Sequence, residues 1–121
     1  MSVIVNDTVI MDYVSRNQAS NVVLDLREAD RLAIGIHVSA ASGSSLLDLE
    51  ESTDGVNYAI VASMTITDPG TSIWHVYPIF SRWQKISYTP GTGAASFVVH
   101  INSRVDNVGA RGIGPGVVTN L

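Results

Sequence analysis

Short segments that alternate apolar and polar residues constrain the fold of this chain more than any other feature. In the clearest segment, residues 31–38, branched apolar side chains occupy every second position. A period of two is typical of a half-buried β-strand, whose successive side chains point to opposite faces of a sheet. No stretch of about a dozen residues shows the 3.6-residue period of an amphipathic helix. The pattern therefore predicts an all-β domain and disfavours an α/β fold.

Turn sequences divide the chain into short strands of similar length. Asp54-Gly55, Pro69-Gly70 and Pro90-Gly91 each place a typical turn residue between two apolar segments. With turns roughly every 8–12 residues, the sequence predicts seven or eight strands in an antiparallel β-sandwich, of jelly-roll or immunoglobulin-like type. The candidate segments for these strands are residues 3–5 and 9–11 around a turn at Asn6-Asp7, then 21–26, 31–38, 45–52, 58–67, 72–77, 82–89 and 94–103.

The composition favours a binding or assembly role. Charged residues make up 15% of the 121 residues, against about 25% in an average soluble domain. A surface with so little charge produces little repulsion between copies, which suits a protein that packs against other proteins. The alternative is that a small β-rich domain simply contains fewer Lys and Glu.

Other features of the sequence make several partners and cofactors unexpected. The net charge is −4 and the seven Lys and Arg are scattered, so we expect no nucleic-acid partner. The absence of cysteine excludes disulfides, zinc–thiolate sites and a Cys nucleophile within these residues. We also expect no signal peptide, since the first residues lack a basic region followed by an apolar one. The longest apolar runs fall far below the ~20 residues of a membrane helix, so no membrane partner is expected.

The two ends of the sequence are predicted to make partner contacts. We divide the chain into a β-sandwich domain (1–106), with residues 1–11 as a candidate N-terminal arm, and a glycine-rich C-terminal arm (107–121). That segment combines glycines with branched aliphatic residues, so both a docking arm and a frayed or self-packed terminus fit it. The predicted partner-interface residues are Val3, Val5, Arg82, Val108, Arg111, Ile113, Val117, Val118 and Leu121.

No arrangement of residues points to a metal site or a cofactor. His37, His75 and His100 lie in predicted strands, and no two of them have a metal-binding spacing. A denser acidic group, at positions 48, 50, 51 and 54, allows two interpretations. Its carboxylates are of the type that binds Ca²⁺, or they form a solvated strand face that discourages edge pairing. The members of this group are Asp48, Glu50, Glu51 and Asp54.

No catalytic motif is present, and we predict that the protein is not an enzyme. The sequence contains neither a G-x-S-x-G elbow nor a phosphate-binding loop. Five of the eight aromatic residues fall between Trp74 and Tyr88, which allows a core cluster or a sugar-stacking platform. We expect the core cluster, with Trp83 or Trp74 as its central ring. The Arg82 guanidinium, beside Trp83, would stack or pair at a subunit contact.

Residues 45–104 resemble small virion proteins of tailed bacteriophages. The similar elements are EESTDGVNY and the later run IWHVYPIFSRWQKISYTPGTGAASFVVHINSR. The resemblance implies a structural protein present in many copies in a virion, assembled in the host bacterial cytoplasm, with capsid or other virion proteins as partners. We therefore hypothesise a homo-oligomeric capsid decoration (cement) protein that stabilises the head by binding between capsid subunits. The alternatives are a tail or fibre component and a carbohydrate-binding β-sandwich module.

Overall fold

The computed structural model describes residues 2–26 and 29–106, and it describes side chains for 7–26 and 29–104. These residues form eight antiparallel strands and no helix, so no helix among them is long and apolar enough to cross a membrane. The strands are β1 (Ser2–Arg16), β2 (Ser20–Asp25), β3 (Arg31–Ala41), β4 (Ser45–Ser52), β5 (Ala59–Ile66), β6 (Gly70–Val76), β7 (Trp83–Thr89) and β8 (Ala95–Asp106).

The strands pair in a nested order. The first strand pairs with the last, β2 with β7, β3 with β6 and β4 with β5, as if one long hairpin had been rolled up. Two further pairings, β3 with β8 and β4 with β7, complete the sheets. The result is sheet A, in the order β1-β8-β3-β6, and sheet B, in the order β2-β7-β4-β5. The predicted antiparallel sandwich is confirmed, and this strand order is that of a jelly roll.

The core lies between the sheets and follows the alternation of the sequence. The inward residues of β3, which include Ile34 and Ile36, are fully buried, as are Leu47 on β4 and Val99 and Ile101 on β8. Full burial of such a side chain contributes about 1.5–3 kcal/mol. The inward faces predicted for residues 31–38, 45–52 and 94–103 are therefore confirmed.

Tyrosine and phenylalanine, not tryptophan, form the aromatic centre of the core. Tyr88 and Phe97 are almost completely buried with ring centroids 4.9 Å apart, and Tyr13 meets Phe97 edge-on at 5.4 Å. The prediction of Trp83 or Trp74 as the central ring is wrong. Trp74 lies on the edge strand β6 and packs on the core only in part. Trp83 has the outward phase of β7, whose buried positions are 84, 86 and 88.

The first strand is longer than the sequence predicted. The predicted turn at Asn6-Asp7 is wrong, because β1 continues through these residues to Arg16. A register shift between Ile4 and Asn6 accommodates the polar pair Asn6-Asp7 in the pairing with β8, and another shift follows Val9. Such bulges let a strand continue while one residue drops out of the ladder. Residues 2–11, the candidate arm, are thus paired with β8 of the same chain.

The turn at residues 90–94 requires its glycines because two loops meet there. A Cβ atom at Gly91 would overlap the carbonyl oxygen of Ser44, and one at Gly93 would overlap that of Ser42. Ser42 and Ala94 also exchange backbone and side-chain hydrogen bonds of 2.9–3.3 Å. The predicted turn after β7 is confirmed, and its glycines permit close backbone contact.

The aromatic centre gives a direct test of the core. Phe97→Ala is expected to lower the free energy of unfolding by about 3–5 kcal/mol, because it removes a buried ring and leaves a cavity. The same substitution at Phe80, whose side chain is 91% exposed, is the matched control and should change stability by about 0.5 kcal/mol or less. Urea denaturation followed by circular dichroism measures both. Equal losses in the two variants would contradict the packing described.

Candidate functional site

The two ends of the sandwich differ sharply in composition. One end contains loops 17–19, 42–44, 67–69 and 90–94, which are built mainly from small and polar residues. The opposite end, the aromatic end, contains loops 53–58 and 77–82 and, between β2 and β3, residues 26 and 29–30. Three of its apolar side chains are strongly exposed, namely Val56, Tyr77 and Phe80. Exposed aromatic residues grouped together are typical of a contact surface rather than of ordinary solvent-facing loops.

Arginines stack on two of the rings at the aromatic end. The Arg31 guanidinium lies 4.4 Å from the centroid of Tyr77, and that of Arg82 lies 4.3 Å from Trp83. Arg82 also donates two hydrogen bonds, of 2.9 and 3.0 Å, to the Asp25 carboxylate, and these raise the pKa of the guanidinium. Both the stacking and the ion pair of Arg82 are made within the chain, and its role at a subunit contact stays a prediction.

The other predicted interface residues belong to the two ends of the sequence. Val3 and Val5 belong to β1 at the start of the chain, and their side chains lie outside the described ones. The remaining predicted positions lie outside the described residues altogether. They are Val108, Arg111, Ile113, Val117, Val118 and Leu121.

Loop 53–58 is held by one carboxylate. Asp54 accepts hydrogen bonds of 2.8 Å from the backbone N–H groups of Val56 and Asn57, and another from the Asn57 side chain. These bonds hold the pKa of Asp54 well below its usual value of 3.8. Gly55 has a φ of 79°, and its Cα faces the Trp83 indole so closely that a Cβ would lie 3.0 Å from Nε1. The predicted Asp-Gly turn is confirmed.

The acidic group is dispersed rather than convergent. Asp48 and Glu50 lie in the outward phase of β4 and accept hydrogen bonds from Ser63 and Ser87. Glu51 contacts the buried Gln84, whereas Asp54 makes its hydrogen bonds within loop 53–58. Among the described residues, no three His, Asp or Glu side chains are grouped so that they could hold a metal ion. Asp48 and Glu50 do face outward, but β4 is a central strand, so these carboxylates do not guard a sheet edge.

The three histidines lie on the outer face of sheet A, on three different strands. His37 contacts Thr71, and His100 contacts Asp7. His75 lines a groove of about 380 Å³ together with residues of β3, β8 and the start of loop 77–82. Sequence reasoning missed this groove, because only the strand order β8-β3-β6 brings its walls together.

The two edge strands on one side of the sandwich contain no Asp, Glu, Lys or Arg. Because the short loop 67–69 joins β5 to β6, these edge strands of sheets B and A lie on the same side, named here the uncharged side. Its exposed apolar residues are Ile60, Val61 and Ile73. The edge strands of the opposite side, β1 and β2, contain four charged residues, which are Asp7, Asp12, Arg16 and Asp25.

Comparison with known proteins shows the fold and no family. No protein-family model matches the sequence, and no curated protein matches it significantly. A protein of Bacillus endospore appendages, which form disulfide-linked pili, has a similar structure, with a TM-score of 0.55 and 19% identity over 88% of this chain and 92% of that one. The PBSX exported protein XepA has a TM-score of 0.60 and 13% identity, and all of this chain corresponds to 42% of that protein.

The Asp54 carboxylate predicts a pH dependence of stability. Its pKa is lower in the folded than in the unfolded chain, so its stabilising contribution is present above pH about 4 and is lost as the pH falls further. The difference in unfolding free energy between wild type and Asp54→Asn should therefore shrink on acidification. Urea titrations at several pH values measure it. A difference that stays constant across the range would contradict this role for Asp54.

Proposed function

We propose that this protein is a structural subunit of a multi-subunit assembly, either a virion or an extracellular appendage, and acts by binding rather than by catalysis. The observation that supports the proposal best is the uncharged side. Its two edge strands, of 8 and 7 residues, combine uncharged sequences with exposed branched apolar residues. In the described part of the chain, their outer edges pair with no further strand.

Edge strands of this kind are usually protected. A free edge presents N–H and C=O groups that pair readily with another chain, and proteins block this with charged residues, prolines or bulges. Here the opposite side has charges and β1 has bulges, whereas β6 has neither charge, proline nor register shift. In β5 a register shift at Val61 leaves residues 62–66 as the regular part of the edge. We infer that the unprotected edges are kept for strand addition by a neighbouring subunit.

Association through these 121 residues involves no disulfide. The endospore appendages are disulfide-linked pili, but these 121 residues contain no cysteine. Backbone pairing and apolar contacts at the uncharged side would take the place of covalent links. Weak contacts of this kind become effective when many copies are held together, because each further contact is intramolecular.

Within this class we favour a capsid decoration protein that binds between capsid subunits of a tailed phage, in line with the resemblance of residues 45–104. A tail or fibre component is the alternative. The low surface charge and the uncharged side support all of these locations equally. Electron microscopy of labelled particles distinguishes them.

Charges placed on the uncharged side test the proposal. Ile60→Lys on β5 and Ile73→Lys on β6 should reduce self-association or particle binding about tenfold or more, because a charge would be desolvated in the contact. Leu46→Lys is the matched control, since Leu46 is also an exposed apolar residue but lies on the central strand β4. Sedimentation measures association, and circular dichroism checks the fold. The proposal fails if the control loses association as strongly as the two edge variants.

Removal of residues 107–121 tests the predicted C-terminal contact separately. The shortened chain ends after β8, so the sandwich should fold with an unchanged β circular dichroism spectrum. We expect it to lose binding to particles or to other copies, since the segment contains six of the predicted contact residues. Binding equal to that of the full chain would exclude this segment from the interface.

A further inference from the structure

The groove on the outer face of sheet A exists because one small residue separates two larger ones. Ala33 on β3 lies opposite Asn102 on β8 and opposite His75 on β6. Its methyl group leaves a gap between the longer side chains of both neighbours. The groove has a volume of about 380 Å³, within the range of ligand pockets. Its walls are Arg31, His75, Tyr77, Asn102 and Arg104.

Two arginines stand side by side at one end of this groove. Arg31 and Arg104 are direct cross-strand partners, a position in which like charges destabilise a sheet. Asp30 pairs with the Arg31 guanidinium at a distance of 3.2 Å. Arg104 is exposed and contacts no carboxylate among the described residues. An anion bound in the groove would pair with the Arg104 guanidinium through charge-assisted hydrogen bonds.

A tyrosine ring beside the arginines provides a stacking surface. The Arg31 guanidinium lies 4.4 Å from the centroid of the Tyr77 ring. Tyr77 nevertheless remains 66% exposed. The cation therefore holds the ring in place and leaves it accessible. An aromatic face held in this way suits the apolar C–H face of a sugar ring. His75 and Asn102, on the neighbouring strands, supply hydrogen-bond donors and acceptors for hydroxyl groups.

The floor of the groove favours a saccharide over a peptide. Strand β3 is paired on both sides, with β8 and with β6, so its backbone groups are already satisfied. A peptide in the groove would find side chains only, and its own N–H and C=O groups would lose water without gaining backbone partners. The hydroxyl groups of a sugar match guanidinium, imidazole and amide side chains. A nucleic acid would need a longer basic surface in a protein of net charge −4.

We propose that this groove binds an acidic saccharide, a glycan that contains a hexuronic acid. The carboxylate pairs with Arg104, the sugar ring stacks on Tyr77, and hydroxyl groups bond to His75 and Asn102. This binding activity goes beyond the structural role proposed above. It involves the outer face of sheet A and does not depend on subunit association.

An NMR titration of the full chain tests the groove. A disaccharide containing glucuronic acid should shift the amide signals of Ala33, Tyr77 and Asn102 at millimolar concentration, and its neutral glucose counterpart should bind about tenfold more weakly. Arg104→Gln should abolish the preference for the acid. Tyr77→Ala should weaken both sugars, whereas Tyr77→Phe should retain binding because the ring remains. Phe80→Ala, at the same end but outside the groove, is the matched control and should bind like wild type.

Three results would overturn the proposal. The first is the absence of shifts at the groove in the folded wild-type protein with the acidic disaccharide at millimolar concentration. The second is equal affinity for the acidic and the neutral sugar. The third is tighter binding of a glutamate-rich peptide than of the disaccharide, which would assign the groove to an acidic protein segment. None of these results bears on assembly through the uncharged side, so the two proposals fail independently.

Discussion

The pairing of β8 with both β1 and β3 is the constraint on which the rest of the structure depends. It joins the two ends of the chain in one sheet and places Phe97, Val99 and Ile101 opposite the inward residues of sheet B. A slip of one residue would turn these side chains to solvent, since successive residues of a strand face opposite ways. The three register shifts in β1 adapt the first strand to this fixed partner.

The same register also creates the outer surface. When the odd-numbered positions of β8 face the core, His100, Asn102 and Arg104 must face outward. Their cross-strand partners on β3 are Gly35, Ala33 and Arg31, of which the first two are small. The depression in the face and the pair of arginines are thus consequences of one register. A shift of β8 by one residue would therefore disrupt the core packing and the groove together.

The sequence predicted local structure well, because alternation and turn residues are local signals. Strand β4 was predicted with its observed bounds, Ser45–Ser52, and the turns at Gly55 and Gly91 were found. Asn6-Asp7 misled the prediction because a polar pair in an apolar segment resembles a turn, and only the long partner β8 shows that it is a bulge. The prediction of a tryptophan as the central aromatic ring failed for a similar reason. Only the strand order decides which positions are central, and it places Tyr88 there.

Long-range pairing also explains why neither the uncharged side nor the groove was predicted from the sequence. Arg31 and Arg104 are far apart in the sequence, and β5 and β6 become edges only in the assembled order. Strand β6 belongs to both sites, since it forms the edge of sheet A with Ile73 and contributes His75 to the groove. A neighbour's strand added to β6 would lie beside the groove and extend its open wall. Assembly would then repeat the groove along the joined sheets, and weak binding at each groove would add up along an array of subunits.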